Sequence, residues 1–126
     1  MTHETEPGSL VEPFKVKVED ITPFERSGFQ GFPQVTLEQG LGFSALTIWV
    51  DGSHPRKRML EGTRTYYVAS PLPRGTFTLD DEVHEVQEGD LFVVPEGGEY
   101  SYQGDMTLFE VNIPSATGAV RDEKLE

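Results

Sequence analysis

The sequence predicts an all-β domain, a sandwich or a small barrel, and three observations carry that prediction. Short segments rich in aromatic and β-branched residues recur along the chain, several of them with two-residue alternation. Thirteen glycines and nine prolines punctuate these runs, often in turn dipeptides or beside aspartate, as in DGSHP, LPRG and EGGE. No segment in the middle of the chain sustains apolar residues at helical spacing. Many short strands joined by frequent turns fit either architecture.

Taken in order, residues 1–12 are polar and aperiodic and read as a mobile arm. FKVKV (14–18) alternates strictly and reads as a strand; GFQGF (28–32) lacks the basic residue and helix start of a phosphate loop. Strands are expected in GFSALTIWVD (42–51), RTYYVA (64–69), GTFTLD (75–80), VHEV (83–86), LFVV (91–94) and MTLFEVNI (106–113), with DGSHP as a turn. Asp80, Asp81, Glu82 and Glu85 read as a solvated hairpin, and 116–126 as a polar tail that closes a single domain over 13–115.

At 126 residues the chain can bury a core without disulfide or metal staples, and it has no cysteine to form them. A formal charge of −12 argues against nucleic acid as a partner, because phosphate binding relies on lysine and arginine to release counterions. No apolar run is long enough to cross a bilayer, and MTHETEPGSL has neither the basic start nor the apolar core of a secretory signal. A cytoplasmic protein with no membrane partner is expected. Four of the ten cationic residues, Arg56, Lys57, Arg58 and Arg64, nonetheless fall within nine positions, a cluster that asks for a reason.

The run GDLFVVPEGGEYSY (89–102) combines a turn at Gly89, a strand from Leu91 to Val94 and a tight return on Pro95, Gly97 and Gly98 that aims residue 100 inward. Its spacing resembles the second motif of the cupins, small barrels of jelly-roll (double-stranded β-helix) topology, with Tyr100 where the family's metal-binding histidine stands. Counted from Gly52, the first family motif falls on Arg58, Leu60, Arg64 and Pro71, so none of its later signature residues is retained. The intervening EGTRTYYVAS and RGTFTLDDEVHEVQEGD are similar to the strand, turn, hairpin and GD turn between the family's two motifs. The resemblance covers roughly residues 42–113 and extends to members loosely labelled mannose-6-phosphate isomerase-like, of RmlC type. It implies a homodimer, paired through sheets or an exchanged N-terminal strand, for which FKVKV is a suitable edge.

Metal-dependent cupins hold their ion through three imidazoles and a carboxylate. Arginine has a fixed charge and no lone pair, and His3, His54 and His84 are widely spaced and expected to face solvent, so neither metal nor other cofactor is expected. If Arg58 and Arg64 face the barrel interior, they offer bidentate grips to a carboxylate or phosphate, with Tyr100 as a hydrogen-bond donor and Tyr66 and Tyr102 as flat walls. Trp49, the only tryptophan, is a further candidate wall. Two alternatives stay open: an ion-pair network with Glu61, Glu99 or Glu110, or a register displaced by one that turns Lys57 and Met59 inward and Arg58 outward.

Three functions follow from these residues. The first is a metal-free cupin binding a small anionic or sugar-like metabolite. The second is a metal-independent sugar epimerase or isomerase, for which His54 and Tyr100 are the one plausible acid–base pair. The third is a dimeric interaction module whose barrel is filled by side chains.

Overall fold

The computed structural model describes residues 11–125, so nearly all of the arm expected at 1–12 lies outside the described residues. Among the described residues nine strands run in chain order: β1 Phe24–Arg26, β2 Phe29–Val35, β3 Ser44–Glu61, β4 Thr63–Val68, β5 Arg74–Leu79, β6 Glu82–Glu85, β7 Leu91–Val94, β8 Glu99–Ile113 and β9 Arg121–Lys124. They pair antiparallel in the order β1-β2-β3-β8-β4-β7, while β5 bridges β8 and β6, and β9 pairs with β3.

Two strands hold the barrel together. β3 has 18 residues and β8 has 15, and each serves both halves of the structure. Residues 108–113 of β8 pair with β4, whereas 100–105 pair with β5. The change of partner falls on a row of glycines, Gly52 opposite Gly104 opposite Gly75. A Cβ on Gly104 would stand 2.1 Å from the Arg74 carbonyl oxygen, and one on Gly75 2.1 Å from that of Gln103, so a side chain at either position would push the strands apart.

A second irregularity sets which side chains enter the barrel. His54 lies opposite Tyr102, but Lys57 lies opposite Tyr100, so β3 spends one extra residue at Pro55-Arg56. Proline has no N–H to give the ladder, which suits it to a bulge. Beyond the bulge, Met59 is fully buried and Arg58 turns outward. The displaced register is therefore the one that the chain adopts.

Alternation builds the core. Tyr100, Tyr102, Met106, Leu108, Glu110 and Asn112 of β8 are all buried, facing Tyr66, Val68, Phe77, Phe92 and Val94 from the neighbouring strands. Phe77 stacks on Phe92 with ring centroids 4.3 Å apart. On the outside of the sheet, Leu91, Tyr67, Phe109, Thr47 and Phe32 form one cross-strand row, and Val93, Thr65, Val111 and Ala45 form the next. Trp49, half exposed and packed on Phe32, lies at the end of this face, so it is no wall of the interior.

Three expectations need correction, and GFQGF is a strand where no element was assigned. FKVKV forms no strand; it runs extended into a 3-10 turn at Val18–Asp20, and its alternation goes unused because Phe14 and Val18 remain exposed. GFQGF forms the start of β2, which with β1 caps the edge of β3. DGSHP continues β3 instead of turning, because Asp51 to His54 stay in register with β8. The polar C-terminal segment supplies β9, whose backbone completes the open side of β3. No helix among the described residues is long and apolar enough to cross a membrane.

Candidate functional site

Arg64 enters from β4 and is the centre of a buried polar cluster; 13% of its side chain is exposed. Its Nε donates to Asn112 Oδ1 at 2.6 Å. Its Nη1 donates to Tyr100 Oη at 2.8 Å and to Asp122 Oδ2 at 2.5 Å. Asn112 Nδ2 donates onward to Glu110 Oε2 at 2.7 Å and Ser44 Oγ at 3.1 Å, and that Glu110 oxygen lies 3.5 Å from Arg64 Nε. Lys57 Nζ completes the group, 3.6 Å from Asp122. Two cations and two carboxylates therefore balance inside or at the rim of the barrel.

Beside this cluster stand three phenols and an imidazole. Tyr66 Oη lies 3.3 Å from Tyr100 Oη, and the Tyr66 ring is tilted against Tyr100 and edge-on to Tyr102. His54, expected to be exposed, is 7% accessible and stacks on Tyr102 at 4.4 Å and on Tyr100 at 5.4 Å. Its burial follows from the continuation of β3 through DGSHP, which sends alternate side chains inward. Burial, and then the charge of Lys57, lower its pKa from the usual 6.5 to about 4, so the ring is neutral at neutral pH. Burial raises all three phenols, opposed at Tyr100 by the Arg64 charge, so each keeps its proton. Two buried polar atoms here, His54 Nδ1 and Tyr102 Oη, have no hydrogen-bond partner among the described residues.

Of the residues singled out in the sequence, Arg64, Tyr66, Tyr100, Tyr102 and His54 converge. Arg58 does not: it lies on the outer face, ion-paired to Glu99 at 2.6 Å and Glu123 at 3.0 Å, because the bulge at Pro55 reverses its side. The cationic cluster thus has its reason, since Arg56 meets Glu99, Arg58 meets Glu99 and Glu123, and Lys57 and Arg64 meet Asp122. His84 is half exposed in the β5–β6 hairpin, and His3 lies outside the described residues. Asn112 and Asp122 went unnoticed in the sequence. Asn112 left a signal, a polar residue on the buried phase of MTLFEVNI. Asp122 left none, because its role depends on a pairing across more than 60 positions.

A divalent metal, the usual occupant of a cupin barrel, does not suit these side chains. Lys57 and Arg64, which stand at the buried cluster, are cations without a free lone pair. Among the described residues, no group of three or more histidines and carboxylates is placed to hold one.

No family model matches the sequence, and no curated protein does either. Solved structures match over nearly the whole chain. Pac13 from Streptomyces, a nucleoside dehydratase, superposes in a uridine-bound variant with a TM-score of 0.73 at 20% identity, covering 91% of this chain and 92% of its own. A predicted oxalate decarboxylase from Thermotoga maritima gives 0.70 at 17% identity, covering 80% and 99%, and ectoine synthase from P. lautus 0.68 at 13%, covering 90% and 91%. The fold is that of the cupins. Within that barrel, the cluster around Arg64 and Tyr100 occupies the interior, and the expected inward aim of residue 100 holds.

Proposed function

We propose that this cupin binds a small, uncharged, hydroxyl-rich ligand of the sugar or nucleoside kind in its barrel and acts on it by acid–base chemistry without a metal. The observation that carries this reading is the convergence of a neutral His54 with Tyr66 and Tyr100, the latter held by Arg64. A neutral imidazole can accept a proton, and a phenol fixed by a guanidinium can donate one or stabilise a developing oxyanion. The unpartnered His54 Nδ1 and Tyr102 Oη suit ligand hydroxyls, since buried polar atoms in proteins are rarely left without partners.

The solved neighbours support the same chemistry. Uridine-bound Pac13 is represented by variants in which one histidine is replaced by glutamine or one of two tyrosines by phenylalanine. Those tyrosines stand 34 positions apart, with the histidine 13 before the first; Tyr66 and Tyr100 are also 34 apart, with His54 12 before Tyr66. Uridine is uncharged, and so is the sum of the cluster around Arg64. The sequence-based choice between anionic and sugar-like ligands is therefore resolved, in this proposal, toward the second.

A thermal-shift screen of uncharged nucleosides and sugars beside their phosphorylated forms tests it. The uncharged compounds are expected to raise the melting temperature, by mass action on the folded state. Stabilisation by phosphorylated compounds alone would overturn the reading.

Dimerisation is part of the proposal, through the outer face that carries Leu91, Val93, Tyr67, Phe109 and Trp49. The cross-strand rows named above contain no charged residue, in a chain of net charge −12 whose other surfaces repel a second copy. A cytoplasmic setting belongs to the same proposal.

A further inference from the structure

We infer that Asp122, delivered by the C-terminal strand β9, determines ligand specificity by serving as a built-in anion for Arg64. This deepens the proposed function by naming what excludes charged ligands. Nη1 of a guanidinium has two hydrogens, and both are used: one goes to Tyr100 and the other to Asp122. Nε is used by Asn112, with Glu110 3.5 Å away. A carboxylate or phosphate approaching this side of Arg64 must displace Asp122 and leave that carboxylate with only Lys57 to balance it.

The way β9 is held makes this a separable device. Among the described residues β9 pairs only with β3, placing Asp122 opposite Met59 and Glu123 opposite Arg58. Its other anchors are at the surface, Arg121 to Glu61 at 2.7 Å and Glu123 to Arg58 at 3.0 Å. Asp122 alone of the strand reaches the barrel interior; its side chain is 20% exposed, whereas those of Arg121 and Glu123 are 59% and 44% exposed. Tyr100 needs no help from Asp122 to stay on Arg64. Removing the charge of Asp122 therefore leaves one unit of positive charge uncompensated at Arg64 and Lys57 without dismantling the rest of the site.

Inorganic phosphate is the probe. Asp122→Asn, measured by isothermal titration calorimetry against the parent chain at one pH and ionic strength, is expected to bind phosphate at least tenfold more tightly, a gain of about 1.4 kcal/mol. The double variant Asp122→Asn/Arg64→Gln is expected to lose that gain. Asp122→Ser serves as a second variant should the amide fold poorly, since it also removes the charge. A folded Asp122→Asn or Asp122→Ser chain as indifferent to phosphate as the parent overturns the inference, and so does a gain that survives loss of Arg64. Uridine binding, read in the same titrations, stands apart: its absence would count against the proposed function and leave the phosphate result to be judged alone.

Discussion

Arg64 and Tyr100, on strands that do not pair with each other along this stretch, are joined inside the barrel by a 2.8 Å hydrogen bond from Nη1 to the phenolic oxygen. That bond fixes the phenol's position and tempers the upward shift that burial gives its pKa. Removing the hydroxyl by Tyr100→Phe keeps the ring, its stacking on His54 and its packing on Phe77. Turnover of the compound identified by the ligand screen is expected to fall by on the order of 10²–10⁴, the usual scale of a lost acid–base group. Stability is expected to change by only about 1 kcal/mol, as for one hydrogen bond. Unchanged turnover in steady-state kinetics would remove Tyr100 from the chemistry.

Arg64 holds the cluster electrically as well. Arg64→Leu leaves Glu110 and Asp122 buried or half-buried with Lys57 as the sole counter-charge. Breaking a buried pair from one side costs about 3–5 kcal/mol. A urea unfolding midpoint that drops accordingly for Arg64→Leu, but hardly moves for Arg58→Ala, is the expected pattern, because Arg58 pairs at the surface.

His54 gives stability a pH dependence of definite sign. Its folded pKa of about 4 lies below the usual 6.5, so between these values the unfolded chain binds a proton that the folded chain refuses. Above pH 6.5 both states are neutral and His54 contributes nothing; as pH falls toward 4, up to about 3 kcal/mol of stability is lost. Comparing urea denaturation of the parent and His54→Gln at pH 7 and pH 4.5 isolates this effect. The parent should lose more than the variant, and equal losses would mean that the imidazole is not buried neutral.

The glycine row at the crease tolerates no side chain. Gly104 has φ of +137°, and a methyl group there would meet the Arg74 carbonyl oxygen. Gly104→Ala is expected to destabilise by roughly 1–3 kcal/mol, the range of strained backbone substitutions. Circular dichroism melts test it directly.

Trp49 reports on the outer face, because it is the only tryptophan. If two copies pair there, diluting the protein should shift its emission to longer wavelength as the half-exposed ring meets water, and Tyr67→Lys/Leu91→Lys should give the dilute spectrum at every concentration. Sedimentation of the parent as a monomer throughout would dismiss the dimer.

Much of this architecture was written in local pattern. The strands in RTYYVA, GTFTLD, VHEV, LFVV and MTLFEVNI, and the inward aim of Tyr100 after Pro95 and Gly97, could be read from alternation and turn chemistry, because both act over two to five residues. Tertiary structure alone decided the rest. One extra residue at Pro55 sent Arg58 outward, and the ladder that stays in register from Asp51 to His54 buried His54. The pairing of β9 with β3 brought Asp122 to Arg64. A bulge changes every side-chain direction after it, and a proline such as Pro55 permits one without requiring it; a ladder between distant segments depends on where the whole barrel closes and leaves no mark in the few residues around the one that it moves.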